Sequence, residues 1–429
     1  MSLRKSTGLR LERKKDASLL NWNLKRPLSP AKVRVVIPSG SLPCVAEHES
    51  VQTGMKIAAS QTTDGVAVHA SMPGVIGKIE RVSDASGGSS LTVEIRRQGE
   101  PRPAPANFTE TRKGWEQIPA AELPEIFRQA GLVTTDAAME PVHAKLRRHS
   151  GVRTIVVNVC EPEPYITCEQ ILTQSHPVEI LRGAELLKKA ACAARIVFAV
   201  EECNSEVIEL LKSKIYFLKW DYAEVRSVPA RYPQGLESLL LEEWFGEKKD
   251  EAVIFPASTA FAVYEAVAHQ KPFYERVVTV GGECVVEPRS LWLPLGISFQ
   301  DAIQTCKGVM REPRKVILGG PMAGTAQSDL AVPVTAGTAA ILALPKEIAK
   351  EEVPEPCLRC KRCVDTCPVA VSPAMITLAA EQKEYEIAQA WGASRCIECG
   401  NCAYVCPSKR PMLALIHAAK SFREAVFHG

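Results

Sequence analysis

The chain reads Cys357-Leu-Arg-Cys360-Lys-Arg-Cys363-Val-Asp-Thr-Cys367-Pro368 and, after 27 intervening residues, Cys396-Ile-Glu-Cys399-Gly-Asn-Cys402-Ala-Tyr-Val-Cys406-Pro407. Two copies of C-x2-C-x2-C-x3-C-P are the ligand run of a chain holding two 4Fe–4S clusters, in which the fourth cysteine of each run ligates the other run's cluster. On that pattern Cys357, Cys360, Cys363 and Cys406 hold one cubane, and Cys396, Cys399, Cys402 and Cys367 hold the second. Three thiolates at this interval wrap a short irregular turn around three corners of a cubane, and the proline after the fourth stops a helix from running into the cluster. Paired structural zinc sites are the alternative. They present C-x2-C knuckles and have no use for a third cysteine at the same interval.

Working outward, Ser372-Pro373 has the form of a helix cap and first position, and residues 374–391 are rich in Ala and Glu without a breaker. A second helix is expected over 409–427, closing a helical two-cluster ferredoxin-like domain over 346–429. Gly400 and Asn401 would offer backbone N–H groups to the second cluster. Crossed ligation keeps the clusters within electron-transfer reach, so the module reads as a short wire.

The 429 residues suffice for several domains, and a net charge of +3 gives no bias toward nucleic acid. Arg4, Lys5, Arg10, Arg13, Lys14 and Lys15 make residues 1–30 a basic N-terminal tail, expected to be solvated; no apolar run follows, as a secretory signal would require. No stretch approaches the ~18 apolar residues of a membrane span. Of 15 cysteines eight belong to the cluster runs; Cys44, Cys160, Cys168, Cys192, Cys203, Cys284 and Cys306 are an odd, scattered set. Thiolate clusters with no disulfide framework point to the cytoplasm.

Residues 31–98 alternate short Val/Ile strands with Gly and Asp-Gly turns, an all-β pattern. Their half-repeat resembles the barrel-sandwich hybrid of lipoyl and biotinyl carriers, but the expected tip, Gln61-Thr-Thr-Asp-Gly65, carries no lysine, so the unit reads as scaffold. After the Pro-rich linker 101–105, strands at 154–158, 195–200, 224–228 and 252–255 alternate with helices at 178–193, 206–212, 236–245 and 259–269. That pattern predicts a Rossmann-like three-layer α/β domain over 110–272, with ligands at the carboxyl ends of its strands. Two strands, a helix and a strand within 275–323, with a hairpin over 331–344, predict a β-grasp, SLBB-like domain over 273–345. The whole is a multidomain α/β chain.

This order of units resembles the C subunit of Rnf-type ferredoxin:NAD oxidoreductases and the related cobalamin reductase of diol-utilising bacteria, which share a core with the flavoprotein subunit of respiratory complex I. The resemblance spans about residues 30–425 and rests on Asn158-Val-Cys-Glu161-Pro-Glu163-Pro-Tyr165-Ile-Thr167, Tyr232-Pro-Gln-Gly235, Gly319-Gly-Pro-Met-Ala-Gly324 and the second cysteine run. It extends in length and unit order to the branch associated with anaerobic proline reductase. In this family a loop A-G-I-V-G-x-G-G-A-G-F-P-T-H-x-K-L cradles flavin and nicotinamide phosphates. The matching segment here is Ala130-Gly-Leu-Val-Thr134-Thr-Asp136-Ala137-Ala-Met139-Glu140-Pro-Val-His-Ala-Lys145-Leu146, in which Thr134, Asp136, Ala137 and Met139 replace all four cradle glycines. Glycines let a chain approach phosphate oxygens and present its N–H groups; Asp136 and Glu140 instead place carboxylates there. Ser258 replaces a further family glycine.

The resemblance implies that Lys145, Asn158, Glu161, Glu163 and Tyr165 are what is left of a flavin and nucleotide site, while the lost glycines argue against retention of FMN and against NADH dehydrogenase activity. Cys160, at a strand's carboxyl end, is a candidate redox thiol with Cys168 as resolving partner; packing is the competing role for both. The reading reached is an electron-transfer protein passing electrons through two 4Fe–4S clusters to or from a redox partner, either a ferredoxin-like donor or a reductase acceptor, with peripheral association to a membrane complex allowed. An NADH-dependent flavin oxidoreductase feeding the clusters and a scaffold with structural clusters are the alternatives.

Overall fold

The computed structural model describes residues 8–427 apart from 16–18, 22, 86, 101–107, 109 and 351. Arg4, Lys5 and the linker 101–105 lie outside the described residues. Among the described residues no helix is long and apolar enough to cross a membrane.

Strands Thr154–Asn158, Arg195–Glu201, Ala223–Val228 and Ala252–Pro256 form a parallel sheet. Successive strands are added on one side of Thr154–Asn158 until Ala252–Pro256 crosses to the other, so the topological switch lies between these two. The period of two divides each strand between two cores. Ile155, Val157, Ile196, Phe198, Val253 and Phe255 enter one; Val156, Val197, Ala199 and Ile254 enter the other with Leu240 of helix Glu237–Phe245. Helix Pro177–Ala190 starts on a proline at its first turn and buries Ile180, Leu181, Ala184 and Leu187, the spacing of one apolar stripe. It lies so close to helix Ala257–Ala268 that a Cβ on Gly183 would overlap the Ala260 backbone carbonyl.

Residues 32–96 form two antiparallel sheets of four and three strands. A five-stranded sheet follows, in the spatial order Arg289–Pro294, Glu275–Gly281, Ala340–Leu344, Lys315–Leu318 and Thr325–Gln327, with helix Phe299–Thr305 capped by Ser298. These two β units share one core, in which Val33, Val35 and Ile95 meet Val278, Leu293 and Phe299. The contact is close because Gly296, at φ 90°, lets its carbonyl accept the Arg34 N–H at 2.8 Å where any Cβ would strike the Arg34 backbone. The hairpin expected over 331–344 is not formed. Only Ala340–Leu344 is a strand there, because the 331–334 stretch is drawn back to the start of helix Phe299–Thr305, with Phe299 and Gln300 N–H groups on the Val332 and Leu330 carbonyls.

In the cysteine-rich domain the single helix expected over 374–391 is two, Pro373–Glu381 and Tyr385–Ala390. Lys383 takes a left-handed φ of 61° and turns the chain, so that both pieces pack on helix Met412–Phe427. That closing helix begins after Pro411 rather than at Lys409, which is itself left-handed.

The expectation of a solvated N-terminal tail is corrected. The described part of residues 8–30 is a strap across the molecule. Leu9 and Tyr232 exchange both backbone hydrogen bonds (2.8 and 2.9 Å), the Arg13 carbonyl accepts the Tyr165 N–H at 2.9 Å, and Leu19 is fully buried. Arg13 reaches Glu201 at 3.1 Å and Asn204 at 3.0 Å, Lys15 donates to the Glu161 carbonyl at 2.8 Å, and Arg26 forks onto Glu275 at 2.8 and 3.1 Å. Acids clustered at the strand ends need cations once buried, and this segment supplies them.

Gly183→Ala should cost about 1–3 kcal/mol by forcing the two helices apart, read as a lowered chemical-denaturation midpoint with iron content unchanged.

Candidate functional site

The two cysteine loops repeat one backbone conformation. Arg359 and Glu398, one residue before the second cysteine of each run, have φ 54° and 52°; Lys361 and Gly400, one residue after it, have 63° and 78°; Ala370 and Lys409, three residues past the fourth, have 52° and 48°. Left-handed backbone costs a non-glycine residue about 1–2 kcal/mol, and five of these six are not glycine. Short helices Arg362–Asp365 and Asn401–Tyr404 then carry the third cysteines, Cys363 and Cys402.

The thiols fall into two sets. Cys357, Cys360, Cys363 and Cys406 line one hollow, which they surround rather than converging on a single point. Burial chiefly pushes the Cys363 thiol up, with Cys357 and Cys406 adding. Burial likewise pushes the Cys399 thiol up to about 12, with Cys396 and Cys367 as its thiol neighbours, and raises Cys402, beside Cys396 and Cys399. The fourth cysteine of each run thus stands with the first three of the other, and the residues present fit two cubanes. Unmetallated, these buried thiols hold their protons, so loading iron must release them.

The second loop is wedged into the rest of the protein. A Cβ on Gly400 would strike the Met322 carbonyl, and the Met322 and Ala323 N–H groups donate to Glu163 at 2.8 and 3.4 Å. The Tyr232 ring is 2 % exposed, and its hydroxyl, which has no partner among the described residues, lies within the electrostatic reach of Glu163 and Cys399.

At the α/β crevice the loop that replaces the glycine cradle is closed on itself. The Asp136 carboxylate accepts Thr134 Oγ1 at 2.8 Å and the Ala138 N–H at 3.0 Å; Thr134 Oγ1 takes the Glu140 N–H at 3.0 Å. The Thr135 N–H goes to Thr259 Oγ1 at 3.0 Å, the Thr134 and Met139 N–H groups go to the Glu140 and Asp136 carbonyls, and Glu140 pairs with Arg148. Each of the five residues in register with the flavin site holds a joint of the fold. Lys145 Nζ sits between both Glu237 carboxylate oxygens at 3.0 and 3.1 Å, over the Phe255 ring. Asn158 bonds the Gly235 carbonyl at 2.9 Å, Glu161 accepts the Glu169 and Gln170 N–H groups that open helix Cys168–Ser175, Glu163 holds Met322, and Tyr165 Oη donates to Glu283 at 2.6 Å. Cys160 is buried against Val156 and Ala199, and burial with Glu201 and Glu161 nearby raises its thiol well above the ordinary range; Cys168 is raised the same way. Protonated thiols are poor nucleophiles, and both cysteines lie in apolar clusters of the core.

Three family models match: "Nuo51 FMN-binding domain" over residues 127–267, "SLBB domain" over 277–326 and "4Fe-4S dicluster domain" over 349–407. The C subunit of the proton-translocating ferredoxin:NAD(+) oxidoreductase complex of Clostridium ljungdahlii is 29% identical over 390 residues, covering 87% of this chain and 84% of its own length. The Na(+)-translocating counterpart of Acetobacterium woodii is 31% identical over 392 residues, covering 88% and 87%. The chain belongs to the family of these C subunits. A chain of an NAD+-reducing [NiFe]-hydrogenase in the air-oxidized state is alike in fold alone, with TM-score 0.50 and 16% identity over 71% of this chain and 66% of that one.

This C-subunit homologue is an electron-transfer protein carrying two 4Fe–4S clusters. Its α/β domain matches an FMN-binding family, but the flavin phosphate does not fit: the N–H groups that would grip it are taken by Asp136, Thr134 and Thr259. Sequence reasoning misses the strap residues Arg13 and Lys15, hidden in a basic run, and Tyr232, whose motif is visible but whose hydroxyl only the fold brings to Cys399.

Beside Ser258 lies buried Glu169, its carboxyl pushed up to about 7, first by burial and then by Glu161. A carboxyl whose folded pKa is raised gives stability that is fully present below its unfolded value near 4.5 and lost as pH rises through about 7, about 3 kcal/mol in all. Glu169→Gln should abolish that part of the decline, measured as unfolding free energy at about pH 5 and about pH 8; an unchanged difference would refute the assignment.

Proposed function

We propose that this chain relays low-potential electrons between partner proteins without a nicotinamide or flavin step of its own. Cys357, Cys360, Cys363 and Cys406 would hold the first cluster, and Cys396, Cys399, Cys402 and Cys367 the second, in crossed ligation. When bound, the clusters supply one-electron chemistry; the chain's residues set their spacing, burial and hydrogen bonding. The relatives are named for ferredoxin and NAD(+). For this chain a ferredoxin-like donor or a reductase acceptor is the fitting partner, with placement in the cytoplasm, peripheral to a membrane complex.

One observation carries the absence of a nucleotide step: in the segment aligned with the family's glycine cradle, the Asp136 carboxylate accepts the Thr134 hydroxyl and the Ala138 N–H. An unscreened carboxylate repels a phosphate dianion by several kcal/mol at a partly buried site. The match to the "Nuo51 FMN-binding domain" family favours a second reading, an NADH-dependent flavin reductase. Anaerobically purified protein should carry about eight irons and about eight sulfides per chain and no stoichiometric flavin, and NADH should leave its visible spectrum unbleached. Stoichiometric FMN bleached by NADH would establish the second reading instead.

The Tyr232 hydroxyl is a buried donor without a partner among the described residues, close enough to Cys399 to feel its charge, and a hydrogen bond from it to cluster sulfur would raise the reduction potential. Tyr232→Phe should keep all the iron and move the midpoint of the second cluster to lower potential in an EPR-monitored titration, leaving the first in place.

A further inference from the structure

The two cysteine loops share a backbone but face different surroundings. The second is packed against Met322, Tyr232 and Glu163, with Cys399 and Cys402 buried. In the first, Cys360 is exposed and Cys357 half-buried, at the rim of the hollow that the four thiols line. The same rim carries Leu358, 67% exposed, and the exposed cations Arg359, Lys361 and Arg362, and no carboxylate. These three make no ion pair among the described residues. The nearest acids in sequence are Glu352, paired with Lys409 at 2.9 Å, and the exposed Glu355 and Asp365. Three cations without an ion pair and an exposed leucine around a solvent-facing cysteine give this rim a positive charge that an acidic surface would complement.

We infer that Leu358, Arg359, Lys361 and Arg362 form the docking surface for an acidic protein bearing an exposed one-electron centre, making the first cluster the outer terminal of the wire and the second its inner one. This rests on the electron-relay reading above and adds where the partner binds and by what chemistry. One electron passes between partner and chain, one being oxidised and the other reduced, with no bond made or broken. A protein is favoured over an anionic membrane because a single exposed leucine offers far less apolar area than an interfacial helix face. Redox encounters are also characteristically small and driven by charge.

The test uses the full chain with both clusters loaded and an acidic two-cluster ferredoxin as probe, comparing wild type with R359E/K361E/R362E and with K248E/K249E as a remote control. Expected for wild type is binding that weakens steeply with salt; expected for the triple variant is at least about a tenfold loss of affinity at low salt, as for other steered encounters. Electron transfer from reduced probe to chain and from reduced chain to oxidised probe should slow together in the triple variant. Slowing in one direction with acceleration in the other, at unchanged affinity, would mean that the charges tune the cluster without docking anything, and would overturn the proposal. So would equal binding by all three proteins, or charge-dependent binding confined to vesicles of anionic phospholipid. Wild type that ignores the ferredoxin yet is reduced by photoexcited deazaflavin sinks the docking surface and spares the relay; clusters that deazaflavin cannot reduce sink both. Should the triple variant lose iron, Arg362→Glu and the wild-type salt series separate the same outcomes.

Discussion

The Glu163 carboxylate holding the Met322 and Ala323 N–H groups is the joint through which three parts of this chain meet. Glu163 belongs to the loop leaving a strand of the α/β domain, Met322 to the glycine-rich turn of the five-stranded sheet unit, and the Met322 carbonyl lies against Gly400 of the second cysteine loop. Burial raises the Glu163 pKa while the two N–H groups oppose that shift. A buried carboxylate that lost these donors would carry an unmet desolvation cost of a few kcal/mol. Gly320 and Gly324 have no alternative here, since a Cβ on either would overlap the Glu163 side chain or the neighbouring backbone. The inner end of the electron path is therefore only as well placed as this carboxylate.

A second constraint is electrostatic. Strand ends of the parallel sheet present the carboxylates of Glu161 and Glu201. Here the strap answers them with Arg13 and Lys15, and burial pulls the Lys15 pKa down against the attraction of Glu161 and Glu201. With Asp136 filling the cradle from inside, the crevice is neutralised and hydrogen-bonded without a ligand. The residues in register with the family's flavin site serve here as joints of the fold.

The cysteine spacing, the strand–helix alternation and the missing glycines are legible because each is local: a motif, a period, a substitution. Legibility fails where a long-range partner decides the outcome. Residues 374–391 read as one helix because nothing in Gln382-Lys383-Glu384 breaks a helix; packing of both pieces on Met412–Phe427 does it. Arg13 and Lys15 look like any exposed basic run until Glu201 and Glu161 are brought to them from distant positions in the chain. The flavin-register residues stand out in the chain, but their spacing cannot tell a ligand shell from a set of braces.

The matched left-handed positions in the two cysteine loops have a consequence of their own. An internally duplicated scaffold would seat two chemically identical cofactors alike. Here one half is lined by a phenol, a carbonyl and packed side chains, and the other opens onto water and guanidinium groups. Solvent exposure and local charge shift a cluster's potential, so two cofactors in these unlike surroundings would not be electrochemical duplicates. The asymmetry lies in the dielectric surroundings that the fold provides rather than in any difference of ligand.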